Sequence, residues 1–400
     1  MKKLLTLVLA VVMAVGCMSL VACGGSNDNK KNDIKVGFIF LHAESSTYDL
    51  NFIEAAQDVA RELGLSDDQV ILKTNIDEGD ICYETAADLA DQGCDLIFAD
   101  SFGHEEYMLK AAREFSNVQF FHATGTQAHT AGVKNYHNAF ASIYEGRYLA
   151  GIAAGMKLNE MIEAGQFTAA EAKMGYVGAY PYAEVVSGYT SFYLGAKSVC
   201  PSVTMEVRYT SSWYDMDAEK ATAEALIASG CKLISQHADS LGAPSACEEK
   251  KVPNVSYNGS TKATGPNTYI VSSKINWRPY FKMIIEATIN GETVPYDWTG
   301  TIDTDSVQLL ELNTTVAAAG TQEAINSALA QLKAGTLHVF DTSKFTVGGE
   351  KLTSYLADVD DDGTFTGETE VIKDGYFHES EYRSAPYFDL RIDGITEINN

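Results

Sequence analysis

The chain has 400 residues, 46% hydrophobic and 21% charged, enough for two or three packed domains and too apolar for a disordered tail. Lys and Arg number 29 against 54 Asp and Glu, a formal charge of −25. Such a surface repels phosphate backbones, which excludes nucleic acid as a partner, and it excludes polybasic attachment to anionic lipid.

The N-terminus supplies another route to a membrane. Met1-Lys2-Lys3 is a short basic region, and Leu4 to Val15 is an apolar run of signal-peptide length. Leu20-Val21-Ala22-Cys23 resembles the bacterial lipobox, which implies cleavage after residue 22 and diacylglycerol on the Cys23 sulfur. Residues 23–33, from Gly24-Gly25-Ser26 to Lys31-Asn32-Asp33, are small and polar and read as a lipidated tether. Acyl chains contribute about 0.8 kcal/mol per buried methylene, so such a cysteine anchors a protein that has no membrane span. The expected location is the extracytoplasmic face of the cell membrane.

From residue 34 short β-rich runs alternate with helical patterns. Ile34 to Leu41 reads as a strand, Ile53 to Leu63 as a helix closed by Gly64, Val70-Ile71-Leu72 as a strand and 81–92 as a helix. Leu96 to Ala99, a helix at 105–114, Val118 to Phe121 and a long helix from about 143 follow. A second series begins at Met174, with strands near 203–209, 233–236 and 254–257 and helices near 183–196, 217–229 and 243–250. This alternation predicts an α/β protein with parallel sheets covered by helices on both faces.

The two series match each other. Gly93-Cys94-Asp95-Leu96-Ile97 leads to Asp100-Ser101-Phe102-Gly103, and Gly230-Cys231-Lys232-Leu233-Ile234 leads to Asp239-Ser240-Leu241-Gly242. The match predicts two lobes of similar topology, 34–142 and 143–258, whose strand-end loops face one cleft. Residues 259–335 read as a return to the first lobe with hinge crossings, carried by Tyr269 to Ser272, a helix from Pro279 and Val307 to Leu310. Residues 336–400 read as a β-hairpin-rich extension.

No GxxxxGK[ST], GxSxG or HExxH pattern is present, so catalysis has no positive support and no cofactor is expected. The eight histidines are scattered and imply no metal centre. Asp358-x-Asp360-x-Asp362-Gly363 begins like a calcium loop, but its twelfth position is Thr369, which favours a solvated acidic turn. Cys82, Cys94, Cys200, Cys231 and Cys247 contain no CxxC and read as buried free thiols, with one disulfide left open.

Aromatic and amide residues gather in the loops after the strands. Tyr48, Asp49, Asn51 and Phe52 follow the first strand, and Ser101 and Phe102 follow the third. Trp213, His237, Asp239 and Asn258 occupy the second lobe's loops, and Lys274 and Trp277 come late. Rings sandwich a flat ligand while carboxylates, amides and a lysine bond its edges. These twelve are the candidate ligand-binding residues. Each ring taken alone is as readily a packing residue, and Asp49 and Asn51 also suit a helix start.

From Ile34 to about Leu312 the chain resembles the basic membrane protein (BMP) family of ABC-transporter substrate-binding lipoproteins and purine nucleoside receptors. The resemblance rests on Val36-Gly37-Phe38 followed by Tyr48-Asp49-Leu50-Asn51-Phe52, and on Leu96 to Gly103. It continues through Ala141 to Gly151 and Val271-Ser272-Ser273-Lys274. It implies a two-lobed, type I periplasmic-binding-protein-like fold, a nucleoside-like ligand and an ABC permease as partner. It further implies that Asn51 bonds the base, Phe52 stacks on it or packs beneath, Trp213 falls near a second aromatic clamp, and Lys274 reaches ribose hydroxyls. The family's aspartate pair appears here as Tyr257-Asn258. Two other roles suit the same chain: a lipoprotein sensor presenting its ligand to a signalling receptor, and a surface nucleoside hydrolase.

Overall fold

The computed structural model describes residues 33–359 and 366–398. The signal peptide, Cys23, and Asp360, Asp362 and Gly363 of the acidic loop lie outside the described residues. In chain order the first lobe holds β1 (Val36–Ile39), α1 (Thr47–Leu63), β2 (Val70–Lys73), α2 (Asp80–Asp91), β3 (Leu96–Ala99), α3 (Glu105–Glu114), β4 (Gln119–Ala123) and β5 (Tyr136–Ala141). The second holds α4 (Ile143–Glu163), β6 (Lys173–Gly178), α5 (Ala183–Val199), β7 (Thr204–Tyr209), α6 (Met216–Ala228), β8 (Leu233–His237), α7 (Gly242–Lys250), β9 (Asn254–Tyr257) and β10 (Tyr269–Ile275). Then come α8 (Arg278–Asn290), β11 (Asp297–Gly300), β12 (Val307–Leu309) and α9 (Thr321–Lys333). The tail carries the short strands β13 (Leu356–Ala357), β14 (Thr369–Glu370), β15 (Ile372–Lys373) and β16 (Tyr376–Phe377), and ends in β17 (Ile395–Ile398).

The first sheet runs β2-β1-β3-β4-β5-β11, all parallel, and the second runs β17-β7-β6-β8-β9-β10-β12, with β12 alone antiparallel. The two share the order 2-1-3-4-5, and the duplicated motif occupies equivalent registers. Gly37 pairs with Ile97 in one sheet and Gly175 with Ile234 in the other. Gly93 and Gly230, just ahead of β3 and β8, have φ of +86° and +99°, a conformation glycine adopts without strain.

Alternating residues of each strand feed opposite cores, because side chains reverse face at every step. Val36 and Phe38 pack under α1 and α8 with Phe98 and Phe281, whereas Ile39, Ile97 and Ala99 pack under α2 and α3. In the second lobe α4, α5 and α9 cover one face, and α6 and α7 the other. Helices α4 and α5 approach so closely that a Cβ on Gly151 or Gly195 would meet a backbone oxygen at 2.0 Å. All five described cysteines are buried and free.

The segment 259–335 does not return to the first lobe as a block. β10 extends the second sheet beside β9, burying Ile270 and Val271 in the second core, and β12 pairs with β10. Only α8, which packs on α1 through Phe281, and β11 rejoin the first lobe. The chain therefore crosses between lobes three times, at 141–143, 275–278 and 300–307. The extension is less β-rich than expected. Its aromatic residues Phe340, Phe345, Phe377 and Phe388 join the second core, and β17 adds a parallel strand beside β7.

Candidate functional site

The strand-end loops of both lobes enclose one small pocket. Eight of the twelve candidates line it: Tyr48, Asp49, Ser101, Phe102, Trp213, His237, Asp239 and Asn258. Leu41, His42, Thr124, Glu184 and Tyr257 complete the lining and were not among the twelve candidates.

The first-lobe wall is built on the start of α1. Ser46 caps the helix by accepting the Asp49 amide, and the Ser46 hydroxyl donates to Asp49 Oδ2 at 2.5 Å. The His42 amide donates to Asp49 Oδ1 at 2.7 Å, which draws the loop after β1 onto the helix. Tyr48 donates to the Asp100 carbonyl at 2.8 Å. Thr124 is held in place from behind. Glu105 is buried and accepts from the amides of Thr126 and Gln127, the Tyr136 hydroxyl and the Asn138 side chain, fixing the loop after β4.

The second-lobe wall comes from the loops after β7, β8 and β9. The Asp239 amide donates to the Trp213 carbonyl at 2.9 Å, tying two loops together. Glu219 at the start of α6 accepts the Ser240 amide and anchors the same loop. Asn258 takes a left-handed φ of +62° and donates from Nδ2 to Asp239 Oδ1 at 3.2 Å. His237 Nε2 lies 3.2 Å from Glu184 Oε1. Behind Tyr257 lies Arg147, fully buried, bonded to the Ser256 carbonyl and the Tyr176 and Ser235 hydroxyls. The Tyr257 hydroxyl is buried without a protein partner, so it is available to a ligand atom.

The lobes are closed on each other. The Thr47 amide donates to the Asp239 carbonyl at 3.0 Å, and Asn51 Nδ2 to the Asn258 carbonyl at 3.2 Å. Phe102 meets Tyr182 at 5.4 Å between ring centroids, and His42 meets Tyr214 at 5.3 Å.

Four expectations are corrected. Phe52 and Trp277 stack on each other at 4.4 Å inside the first core, 0% and 1% exposed, and neither reaches the pocket. Asn51 serves as a bond between lobes instead of lining the pocket. Lys274 sits in β10 opposite Gln308 of β12, away from the lining. Burial of an apolar helix face drives the first two inward, and the sheet position of β10 removes Lys274.

Charge is unusual in this pocket. Among the described residues, its lining includes Asp49, Glu184 and Asp239 but no Lys or Arg. Burial alone would raise the Asp49 pKa, but hydrogen bonds from the His42 ring, Ser46 and the His42 amide outweigh it and hold Asp49 below 3.8. Asp239 goes the other way: burial, then the negative Asp49, Glu219 and Glu184, push it well above 3.8. Asp100, just behind the lining, is raised by burial and by Asp49. Burial also lowers His237, against the pull of Glu184, so its ring is neutral. The pocket thus offers carboxyl groups, amides and ring faces. That set suits a neutral, flat ligand with several polar edges and rejects an anion.

Two α/β lobes with matched strand order, three crossings and a closed cleft make up the two-lobed fold seen in solute-binding proteins. The chain belongs to the family of PnrA-like ABC transporter substrate-binding proteins, whose model matches residues 39–335. It is 31% identical over 270 residues to a purine-binding protein of Brucella abortus (strain 2308), spanning 67% of this chain and 72% of the relative. Over 197 residues it is 32% identical to a candidate ABC-transporter glucose-binding protein of Haloferax volcanii, spanning 49% of this chain and 46% of that one. Among solved structures, a solute-binding protein of Aeropyrum pernix K1 matches with TM-score 0.65 at 17% identity, covering 77% of this chain and 93% of its own. One from Conexibacter woesei matches with TM-score 0.61 at 19% identity, covering 76% and 98%. The family implies a small-molecule ligand and a permease partner.

Proposed function

We propose that the protein captures a purine or purine nucleoside in the interlobe pocket and delivers it to an ABC permease, tethered to the outer face of the cell membrane by lipid on Cys23. The observation that carries this reading is the pocket's composition: Trp213, Tyr48 and Phe102 beside Asp49, Asp239 and Asn258, with no Lys or Arg lining it among the described residues. Ring faces bind a flat base by stacking, and the mixed donors and acceptors match the alternating donors and acceptors of a purine edge. The resemblance to a purine-binding protein of Brucella abortus supports the same class. Ligand bridging both walls favours the closed state, because only that state lets both lobes contact it.

Isothermal titration against adenine, hypoxanthine, adenosine, inosine, glucose and ribose tests the reading. At least one purine is expected to bind in the micromolar range or tighter. Binding of glucose or ribose with no purine response overturns it. For the anchor, replacing Cys23 with Ser is expected to release the protein from the membrane fraction, and retention there contradicts the lipid.

A further inference from the structure

The family match ends at residue 335, and the tail beyond it touches both lobes. Its seat is in the second. Phe388 stacks on Phe340 at 4.2 Å in the second core, and β17 lies beside β7. Glu397 of β17 accepts the Tyr189 and Tyr209 hydroxyls, which pins the end of the tail to α5 and β7. Its other contact is with β11, the edge strand of the first sheet. The Ser384 amide and hydroxyl both donate to Asp297 Oδ1, at 3.0 and 2.8 Å, and Thr299 donates to the Ser380 carbonyl at 3.3 Å. Asp297 is held from its own lobe as well. His129, in the loop after β4, places Nδ1 3.2 Å from Asp297 Oδ2.

We propose that the tail is a strap that fastens the two lobes in the closed state, with Asp297 and Thr299 of β11 as its catch on the first lobe. The three covalent crossings set where the lobes hinge. The strap is a fourth link, made only of hydrogen bonds, so it can release. Rotation of one lobe against the other moves Ser384 away from Asp297, and these bonds end a few tenths of an ångström beyond their present lengths. Ser384 is 0% exposed, and the Asp297 side chain only 15%, so release takes two charge-assisted donors from a largely buried carboxylate. Leaving such a group short of donors is costly, which favours the fastened state. None of Asp297, Thr299, Ser380 and Ser384 lines the main pocket, so the strap biases closure independently of what the pocket binds.

Amide hydrogen exchange of the full chain without ligand tests this, because one amide on the far side of the cleft reports closure. Thr47 opens α1, where first-turn amides have no acceptor within the helix, and it donates instead to the Asp239 carbonyl of the second lobe. In the wild type the Thr47 amide is expected to exchange about tenfold or more slowly than an open amide. Asp297→Ala is expected to free the Ser384 amide and to speed Thr47 about fivefold, although Thr47 makes no contact with the tail. The milder Ser384→Ala, Thr299→Val pair is expected to speed Thr47 about twofold. Amides inside β3 and β8 are expected to keep their wild-type rates, which shows that the lobes stay folded; if Asp297→Ala disturbs them, the milder pair decides. A wild-type Thr47 amide that exchanges as an open one overturns the strap. So does Asp297→Ala that frees Ser384 with Thr47 at its wild-type rate. Because no ligand is used, either failure leaves the purine reading untouched.

Discussion

The two lobes share a strand order and a duplicated glycine–cysteine motif, yet they place their aromatic residues differently. In the first lobe Phe38, Phe52, Phe98, Trp277 and Phe281 face one another beneath the cleft, and the cleft wall is made by polar groups fixed to the start of α1. In the second lobe Tyr180, Tyr182 and Trp213 gather at the cleft rim, with ring centroids 5.1 to 6.1 Å apart. The first lobe therefore buries most of its rings and leaves Tyr48 and Phe102 at the cleft, whereas the second gathers a cluster of rings at the rim. The difference teaches that matched topology does not imply matched function for residues after equivalent strands.

The sharpest way to break this contrast is to truncate one tryptophan in each lobe. Trp277→Ala is expected to cost about 3–5 kcal/mol of stability, the usual range for a buried Trp or Phe, and Phe52→Ala the same. Trp213→Ala is expected to leave the melting temperature within a few degrees but to weaken purine binding at least tenfold, about 1.4 kcal/mol. Thermal melts and titrations of the three variants decide the matter. If Trp277→Ala melts like the wild type, or Trp213→Ala binds like it, the division between core and cleft is misplaced.

The carboxylates offer a second contrast. Asp49 has a pKa below its ordinary 3.8, so its contribution to stability is present above that value and lost as pH falls through the lowered pKa. Asp49→Asn is expected to destabilise at pH 7 by about 1–3 kcal/mol, because the buried donors that serve it lose their ionised acceptor, and to matter little in strong acid. Asp239 has a raised pKa, so the folded state holds a proton the unfolded state has lost, and stability declines as pH rises above 3.8 through the raised value. Asp239→Asn is expected to flatten that decline and to raise the melting temperature at pH 7 by roughly 2–4 °C. Urea or thermal unfolding across pH 3 to 8 reads both, and slopes of the same sign for the two variants would contradict the assignment.

A smaller effect separates closure from ligand contact. Asn51→Ala removes one hydrogen bond across the cleft, worth about 1 kcal/mol, and is expected to weaken ligand binding about fivefold through faster dissociation. A slower association rate with unchanged dissociation would place Asn51 on the entry path instead.

Much of the fold was legible because period and punctuation agree. The helices end at glycines such as Gly64, and strands such as Leu96 to Ala99 are continuous apolar runs, as parallel sheets require. β5 was not legible: Tyr136-His137-Asn138-Ala139-Phe140-Ala141 mixes polar and apolar residues, and the partners of its buried Asn138 Nδ2 and His137 Nδ1, Glu105 and the Pro295 carbonyl, are far apart in sequence. β11 and β17 are four-residue edge strands fixed by distant partners, Asn138 to Ala141 and Met205 to Arg208. In the site, strand-end position located the pocket loops but not which residues face it. Phe52 lies on α1 one turn past Tyr48, and only the arrival of Trp277 from a distant segment turns it into core. Thr124 and Glu184 carry no local motif. They enter through the loop that Glu105 clamps and through the first turn of α5.

Tryptophan fluorescence tests the central claim most directly, because the chain's three tryptophans occupy distinct places: Trp213 in the pocket, Trp277 in the first core and Trp298 on β11. Titration with a purine is expected to change the emission of the wild type and of Trp277→Phe, and to leave that of Trp213→Phe unchanged at the same ligand concentrations. A ligand-induced change that persists in full in Trp213→Phe would contradict a binding site walled by the second lobe's rings.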